Sequence, residues 1–331
     1  MRMRSNKAAV IVISAAAVLL VGQLTGVRDY LQDMRNRHLE HSNSVPAIAA
    51  SVAEQPLLEQ IQAEAKTRSK PAVDARMDPI WKAIPGYNGL EVDVEATYRQ
   101  ALAAPGTPIK YIYKEVAPKV QLEQLGQHPT YRGNPNKPMV AFMINVAWGN
   151  EFIVPMLDTL DAEGVKATFF LDGSWLKKNP ELAKTIQKRG HELSNHAYSH
   201  PAMSRVSRER ARLEITKTEQ LLKDTLGVKN VWFAPPSGDF DQETIEVAAE
   251  AGLRTVLWTL DTVDWKKPEP GAVVNKITKR VEPGALILMH PTSSSSQALK
   301  GMIQGIRSKG LTLGTVSETL SSRRVPSTQV E

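Results

Sequence analysis

Met139–Val146 (MVAFMINV) is a continuous apolar run, the pattern of a strand buried on both faces. Lys166–Leu171 (KATFFL) is a second run of the same kind. Working outward from this pair, the chain alternates strand and helix signals. Asn179 offers an N-cap and Pro180 a first helical position, for a helix that Gly190 closes. His191–His196 reads as a short strand. From Ser207 to Leu226, Ala211, Ile215, Leu222 and Leu226 fall on one helical face, with Gly227 as the stop. Val231–Phe233, Arg254–Leu260 and Ala285–Met289 are further strands, separated by helical stretches near 241–251 and 271–281. Repeated strand–helix units over about 180 residues imply a parallel sheet or an α/β barrel. In a barrel, chemistry gathers at the carboxyl ends of the strands.

Upstream of this region the texture differs. Of the 21 prolines, nine lie between Pro71 and Pro138. Residues 77–137 hold short apolar pieces cut by turn signals such as Pro85-Gly86. They read as a small module, or a wrap on the main domain, with no chemistry of its own and no protein partner that the sequence identifies. Residues 28–76 are polar, with at most a short helix about Leu57–Lys66, and read as a stalk. Residues 321–331 read as a polar tail. At the amino end, residues 8–27 carry no charge, follow Arg2, Arg4 and Lys7, and are closed by Arg28. Twenty residues in a helix span about 30 Å, one hydrocarbon core. The segment is a signal anchor or a signal peptide. No Ala-x-Ala stands at its end, which favours an uncleaved membrane anchor. Either way the basic flank stays inside and the bulk of the chain is expected outside the cytosol.

Composition removes several classes. The net charge of +6 includes the three basic residues before the apolar segment, and no basic stripe with interleaved aromatics appears, so nucleic acid is not the expected partner. With no cysteine in the chain, disulfides, thiolate nucleophiles and Cys-ligated metals are excluded. At 42% hydrophobic and 23% charged, 331 residues can bury a full core.

The strand ends carry the chemistry-bearing residues. Asn145-Val146-Ala147-Trp148-Gly149-Asn150 stands at the end of the first strand, and His196-Ala197-Tyr198-Ser199-His200 at the end of the third. Phe233-Ala234-Pro235-Pro236-Ser237-Gly238 spans the end of the fourth. Asp261-Thr262-Val263-Asp264-Trp265 comes after the fifth, and His290 after the sixth. His196 and His200 are four apart, which on a helical turn brings both rings to one face, able to share zinc, cobalt or nickel. Taken singly, the pair reads more readily as two polar residues of a surface loop than as a metal site. His290 reads as a core histidine, and Asp264 as a turn residue or as a carboxylate that orients a histidine.

Together these elements resemble the polysaccharide deacetylases with the NodB homology domain, carbohydrate esterase family 4. The resemblance covers about 138 to 320, on HAYSH (196–200), FAPPSG (233–238), WTLDTVDW (258–265) and LMH (288–290). The INVAWGNE stretch and IPGYNGLEVDVE (84–95) look closest to a sporulation-associated branch. The resemblance implies a distorted (β/α) barrel and metal-dependent removal of acetyl from N-acetylated cell-wall glycan. By position it implies His196 and His200 as metal ligands and His290 as general acid, tuned by Asp264. Trp265 and Leu288 would line the acetyl pocket, with Pro236 beside it and the Ser237 N–H facing the oxyanion.

Three positions depart from the family. The general base is replaced by Asn145, the third metal ligand by Val146, and the arginine that pairs with the base by Ala234. The losses are coherent, because a buried guanidinium without its carboxylate costs about 3–5 kcal/mol. A missing base alone costs about 10²–10⁴-fold in rate. Three compensations are open: Asn145 ligating through its carbonyl oxygen, Asp172 or Asp239 swinging in, or a metal-bound water that needs no base. The expectation is a deacetylase with a remodelled, slow site. The alternatives are a glycan-binding pseudoenzyme and a tethered scaffold.

Overall fold

The structure, a computed structural model, describes residues 55–325. The chain divides into two units, residues 1–63 and 64–331. Of the first, only the opening turns of helix α1 (Gln55–Arg68) are described. The apolar segment 8–27 and most of the expected stalk lie outside the described residues. Among the described residues no helix is long and apolar enough to cross a membrane.

The second unit begins with two small antiparallel sheets. Strand β1 (Arg76–Asp78) pairs with β2 (Lys82–Ile84), and β3 (Gly89–Val92) with β4 (Tyr113–Val116). Between the latter two lies α2 (Val94–Ala103), whose N-cap Asp93 accepts the Ala96 N–H at 2.9 Å. These pieces are tied to the rest of the unit. Thr130 bridges Val256, and Arg132 bridges Ala285. Lys70 bridges Leu90 and Val73 bridges Tyr87, so the last residues of the expected stalk pair within this body. At the far end, the Asn88 N–H donates to Ser322 O and Arg324 donates to Asn88 O.

Seven further strands join β5 (Met139–Val146): β6 (Thr168–Leu171), β7 (Glu192–Asn195), β8 (Trp232–Phe233), β9 (Arg254–Thr255), β10 (Leu260–Asp261), β11 (Leu286–Met289) and β12 (Thr312–Gly314). The order is β10-β11-β5-β6-β7-β8-β9, all parallel, with β12 beside Met139–Ala141 of β5. The sheet curls into a half-barrel. The stretch Arg254–Leu260, expected as one strand, is two. Past β9 the chain leaves β8, the Leu257 N–H turns to Thr130 O, and the Thr259 N–H reaches Leu286 O to start β10.

Helices α3 (Asn150–Ala162), α4 (Gly173–Lys178), α5 (Pro180–Lys188), α6 (Arg208–Leu226), α7 (Gln242–Glu250), α8 (Pro270–Arg280), α9 (Ser293–Arg307) and α10 (Val316–Leu320) complete the unit. Ser207 caps α6 and Gly227 ends it in left-handed backbone. Helices α3 and α9 were not among the sequence expectations. Pro155 lies inside the first, giving up one helix hydrogen bond, and four serines open the second.

All eight residues of β5 are buried, and their alternation sorts the core. Val140, Phe142, Ile144 and Val146 face outward into a cluster with Phe169, Leu171, Ile287 and Met289 and helix residues such as Ile153 and Met302. Ala141 and Met143 face inward with Phe170, Trp232, Ala234 and Leu286. Each large apolar side chain so buried contributes about 1.5–3 kcal/mol. The next inward position on β5 is Asn145, where the apolar interior gives way to polar groups.

Gly149 sets the exit from β5. It adopts φ 83° as the N-cap of α3, and a Cβ there would lie 2.0 Å from the Pro291 carbonyl oxygen. Gly149→Ala is therefore expected to lose about 3 kcal/mol or more, from left-handed backbone plus a clash with main chain. Urea denaturation reads this directly, and an unchanged midpoint would contradict it.

Candidate functional site

At the carboxyl end of the sheet, a groove of about 410 Å³ brings together Asn145, His196, His200, Ser237, Trp265, Leu288 and His290. Trp148, Trp258 and Asp261, which the sequence reading did not single out as site residues, also line it.

The two histidines do not share a helical turn, as their spacing had implied. They bracket a loop after β7 in which Ala197 (φ 59°) and His200 (φ 57°) both enter left-handed backbone. This double reversal brings the rings to 5.1 Å between centroids, at 73°. Backbone of this kind is costly for non-glycine residues, so the loop needs support. Asn195 Oδ1 accepts the Ala197 N–H at 2.8 Å, while its amide donates to Ile215 O and Glu219 Oε1. Glu214, buried in α6, accepts the N–H groups of Tyr198 and Ser199 at 2.9 and 2.7 Å, and the Ser199 hydroxyl at 2.8 Å. The sequence signal for Glu214 was present: an acid three residues after Ala211, on the apolar stripe of its helix.

His196 is fully enclosed, and Nδ1–H donates to the Ala234 carbonyl at 2.7 Å. That fixes the tautomer and leaves the Nε2 lone pair unspent. Burial first, then the nearby His200, pushes its pKa down to about 3, so the ring is neutral at physiological pH.

Asp264 is wholly buried behind the groove, on the loop after β10. Its Oδ1 pairs with His290 Nδ1–H at 2.9 Å, and its Oδ2 accepts the His290 N–H at 2.6 Å and the Ser295 hydroxyl. Burial pushes this carboxyl up, but those hydrogen bonds outweigh it and hold it below the usual range. His290 is thus oriented through Nδ1, which leaves Nε2 as the atom that the expected acid role would use. Ser237 lines the groove in left-handed backbone (φ 56°). Pro236 is buried and does not line the groove.

The base arm is missing. Asn145 reaches the groove, but its Oδ1 is buried with no hydrogen-bond partner. Val146 does not line the groove at all, because its side chain packs outward in the apolar cluster. Ala234 lies in the inner apolar cluster and offers no charge to position 145. Of the two proposed substitutes, Asp239 has both carboxylate oxygens engaged and Asp172 only one. Asp239 caps the Ser204 N–H and hydroxyl at 2.7 and 3.0 Å. Asp172 spends Oδ1 on the Trp175 N–H and the Ser174 hydroxyl, at 2.9 and 2.6 Å, as the N-cap of α4, while its Oδ2 is buried without a partner.

Comparison with known proteins bears on this geometry. The family model for polysaccharide deacetylases matches residues 132–256. An uncharacterized Bacillus subtilis protein, YlxY, is 44% identical over 84% of this chain and 88% of its own length. A Bacillus cereus peptidoglycan-N-acetylglucosamine deacetylase is 34% identical over 59% of this chain and 74% of its own.

The chain belongs to the polysaccharide deacetylase family.

Among solved structures it resembles BA3943 of Bacillus anthracis, described as a carbohydrate esterase family 4 pseudoenzyme. The TM-score is 0.76 at 43% identity, over 81% of this chain and 96% of that one. A mutant of that protein, described as having restored enzymatic activity, aligns at 0.76 and 42% identity, over 81% and 99%. Deacetylases of the family are metal-dependent, so the donor set here can be tested against that need. A catalytic site of this kind takes three protein donors. Among the described residues no group of three His, Cys, Asp or Glu side chains is placed to hold an ion. His196 and His200 supply two, and the third position turns a valine into the core. The residues present do not fit the family's metal.

Proposed function

We propose that this protein is a glycan-binding member of the polysaccharide deacetylase family that does not carry out the hydrolysis. The observation that carries this reading is the outward packing of Val146 beside the unpartnered Oδ1 of Asn145. One strand end thereby lacks both the third metal donor and the proton acceptor. The groove itself is retained, with Trp265 and Leu288 on its wall and His290 held by Asp264. By analogy with the named relatives, the glycan is N-acetylated peptidoglycan. With residues 8–27 as a membrane anchor, the groove would work outside the cell, next to that polymer.

The test pairs two measurements on the full chain. Acetate release from peptidoglycan and N-acetylglucosamine oligomers, with zinc, cobalt or nickel added, is expected to stay at background while glycan co-sedimentation persists. Zinc titration is expected to give binding weaker than micromolar. Acetate release that disappears in His290→Ala would overturn this reading in favour of a slow enzyme, with His290, held by Asp264, as its acid.

A further inference from the structure

At the amino end of the sheet, opposite the histidine groove, a cleft of about 270 Å³ opens between the β1–β2 hairpin and the segments that lead into β10 and β11. Trp81 of the hairpin, Arg132, Thr259, Arg280 and Glu282 line it. We propose that this face docks on an anionic lipid surface, with a lipid phosphate held in the cleft between Arg132 and Arg280. Docked this way, the domain points its groove away from the bilayer, about 26 Å off along the eight residues of β5. The inference goes beyond the glycan-binding reading and takes from it only the placement beside a membrane.

Arg132 points to an anion. Its Nη2 donates to Pro283 O at 2.7 Å, its Nε is buried without a partner, and Nη1 has none among the described residues. Burial pushes its pKa below the ordinary value, against the attraction of Glu282 and Asp78 and with the repulsion of Arg76, yet an arginine stays charged. Asp78 is already engaged by Arg76 and by the Ile80 and Trp81 N–H groups. Among the described residues no carboxylate, Glu282 included, comes within ion-pair distance of Arg132 or Arg280. A guanidinium stripped of water without a counter-ion is costly, and a phosphate matches its fork of donors.

The surroundings favour a lipid over a dissolved anion. Lys82, Lys279 and Lys309 are exposed, and Lys309 Nζ reaches Lys279 O and Val281 O at 3.3 Å, beside the end of α8. With Arg132 and Arg280 they outnumber Glu282, once Arg76 and Asp78 have cancelled each other. Such a cluster is drawn to anionic headgroups. The hairpin adds apolar side chains that a soluble ligand would leave in water: Ile80, 71% exposed at its tip, and Met77, 43% exposed. Trp81 and Tyr131, with ring centroids 6.2 Å apart, are the residue types that settle at headgroup level.

The chain has no cysteine, so a single dye can be placed by substitution. Ser308→Cys and Gln297→Cys put it at exposed positions toward opposite ends of α9, the first on the docking face and the second toward the groove. The full chain, labelled at one or the other, is reconstituted into phosphatidylcholine vesicles with or without phosphatidylglycerol, and quenching by a headgroup-attached quencher is read. Phosphatidylglycerol is expected to raise quenching at 308 by about twofold or more and to leave 297 unchanged. High salt should abolish the rise, as should Ile80→Ser/Arg280→Gln, two exposed positions where folding is not at stake. Equal quenching at both positions in both lipids, or a rise at 297 instead, overturns the docking and leaves the glycan reading untouched. Glycerol phosphate oligomers that bind the detergent-solubilised chain with the same variant sensitivity, while the lipids make no difference, transfer the face to a soluble polyanion and overturn the membrane assignment. A chain that stays free of phosphatidylcholine vesicles overturns the anchor reading, and the phosphatidylglycerol contrast then decides the docking by itself.

Discussion

Replacing Asn145 and Val146 together by aspartate is expected to turn the groove into a metal-holding site and to bring deacetylation with it. The remaining parts are in place. His196 has its Nε2 unspent and is neutral, His200 stands 5.1 Å away ring to ring, and His290 is held by Asp264. A carboxylate at 146, driven from the outward apolar cluster toward the groove by its desolvation cost, supplies the third donor, and one at 145 supplies the base beside it. Partners outside the first ligand layer are worth about 10–100-fold in metal affinity, so a ligand itself should tighten zinc binding by at least ~100-fold. The base should add about 10²–10⁴ in rate. The cost is local. Position 146 is fully buried among apolar groups such as Ile153, so the metal-free double variant should lose about 3–5 kcal/mol. Zinc should restore that loss, because an ion that binds only the folded state raises its melting temperature. Adding Ala234→Arg gives the new carboxylate at 145 its counter-charge. Three readings check the prediction: zinc titration, melting temperature with and without zinc, and acetate release. A double variant that binds zinc no better than wild type would mean that strand β5 holds position 146 outward whatever residue it carries.

Much of this was legible in the residues because burial leaves a strong trace. The run at 139–146 could only be an enclosed strand, and the apolar spacing from Ala211 to Leu226, between Ser207 and Gly227, gave a helix with both ends. The polar residues at strand ends gave the groove, since a barrel-like sheet collects them on one rim. Legibility failed where tertiary pairing decides. Nothing in Arg254–Leu260 says that Thr130, 127 residues before Leu257, will capture the Leu257 N–H and split the strand. The four-residue spacing of His196 and His200 suggested a helical turn, yet two left-handed residues and the Glu214 carboxylate make the approach instead. The direction of Val146 was hidden for a different reason. Sequence identified a residue without a lone pair, but only the alternation along β5 shows that its side chain leaves the site altogether.

Acid should destabilise the protein well before its carboxylates protonate, because two histidines are buried in their neutral forms. His191, at the entry to β7, accepts the Ala167 N–H on Nδ1 at 3.2 Å and lies edge-on to Phe169, with ring centroids 5.2 Å apart. Its Nε2 is buried without a partner. Protonating Nδ1 would break the bond to Ala167 and leave a charge in an apolar setting. Burial first, then the cations Lys166 and Arg189, push the pKa down to about 4 against the opposing pull of Asp161. His196 sits lower still, at about 3. Between the ordinary value of 6.5 and these folded-state values the unfolded chain takes up protons that the native state refuses. The stabilising contribution is thus complete above about pH 6.5 and is lost as pH falls toward 4 and then 3. At about 1.4 kcal/mol per pH unit, each histidine removes on the order of 3 kcal/mol by pH 4.5. Asp264 acts in the same direction only further down, because its folded-state value lies below the ordinary 3.8. Urea denaturation at pH 7 and pH 4.5 measures the fall. His191→Gln keeps an acceptor for the Ala167 N–H but carries no titrating group, so its fall should be about half that of wild type. If the variant falls as far as wild type, the loss arises elsewhere, and the neutral imidazole at the entry to β7 is not what acid attacks.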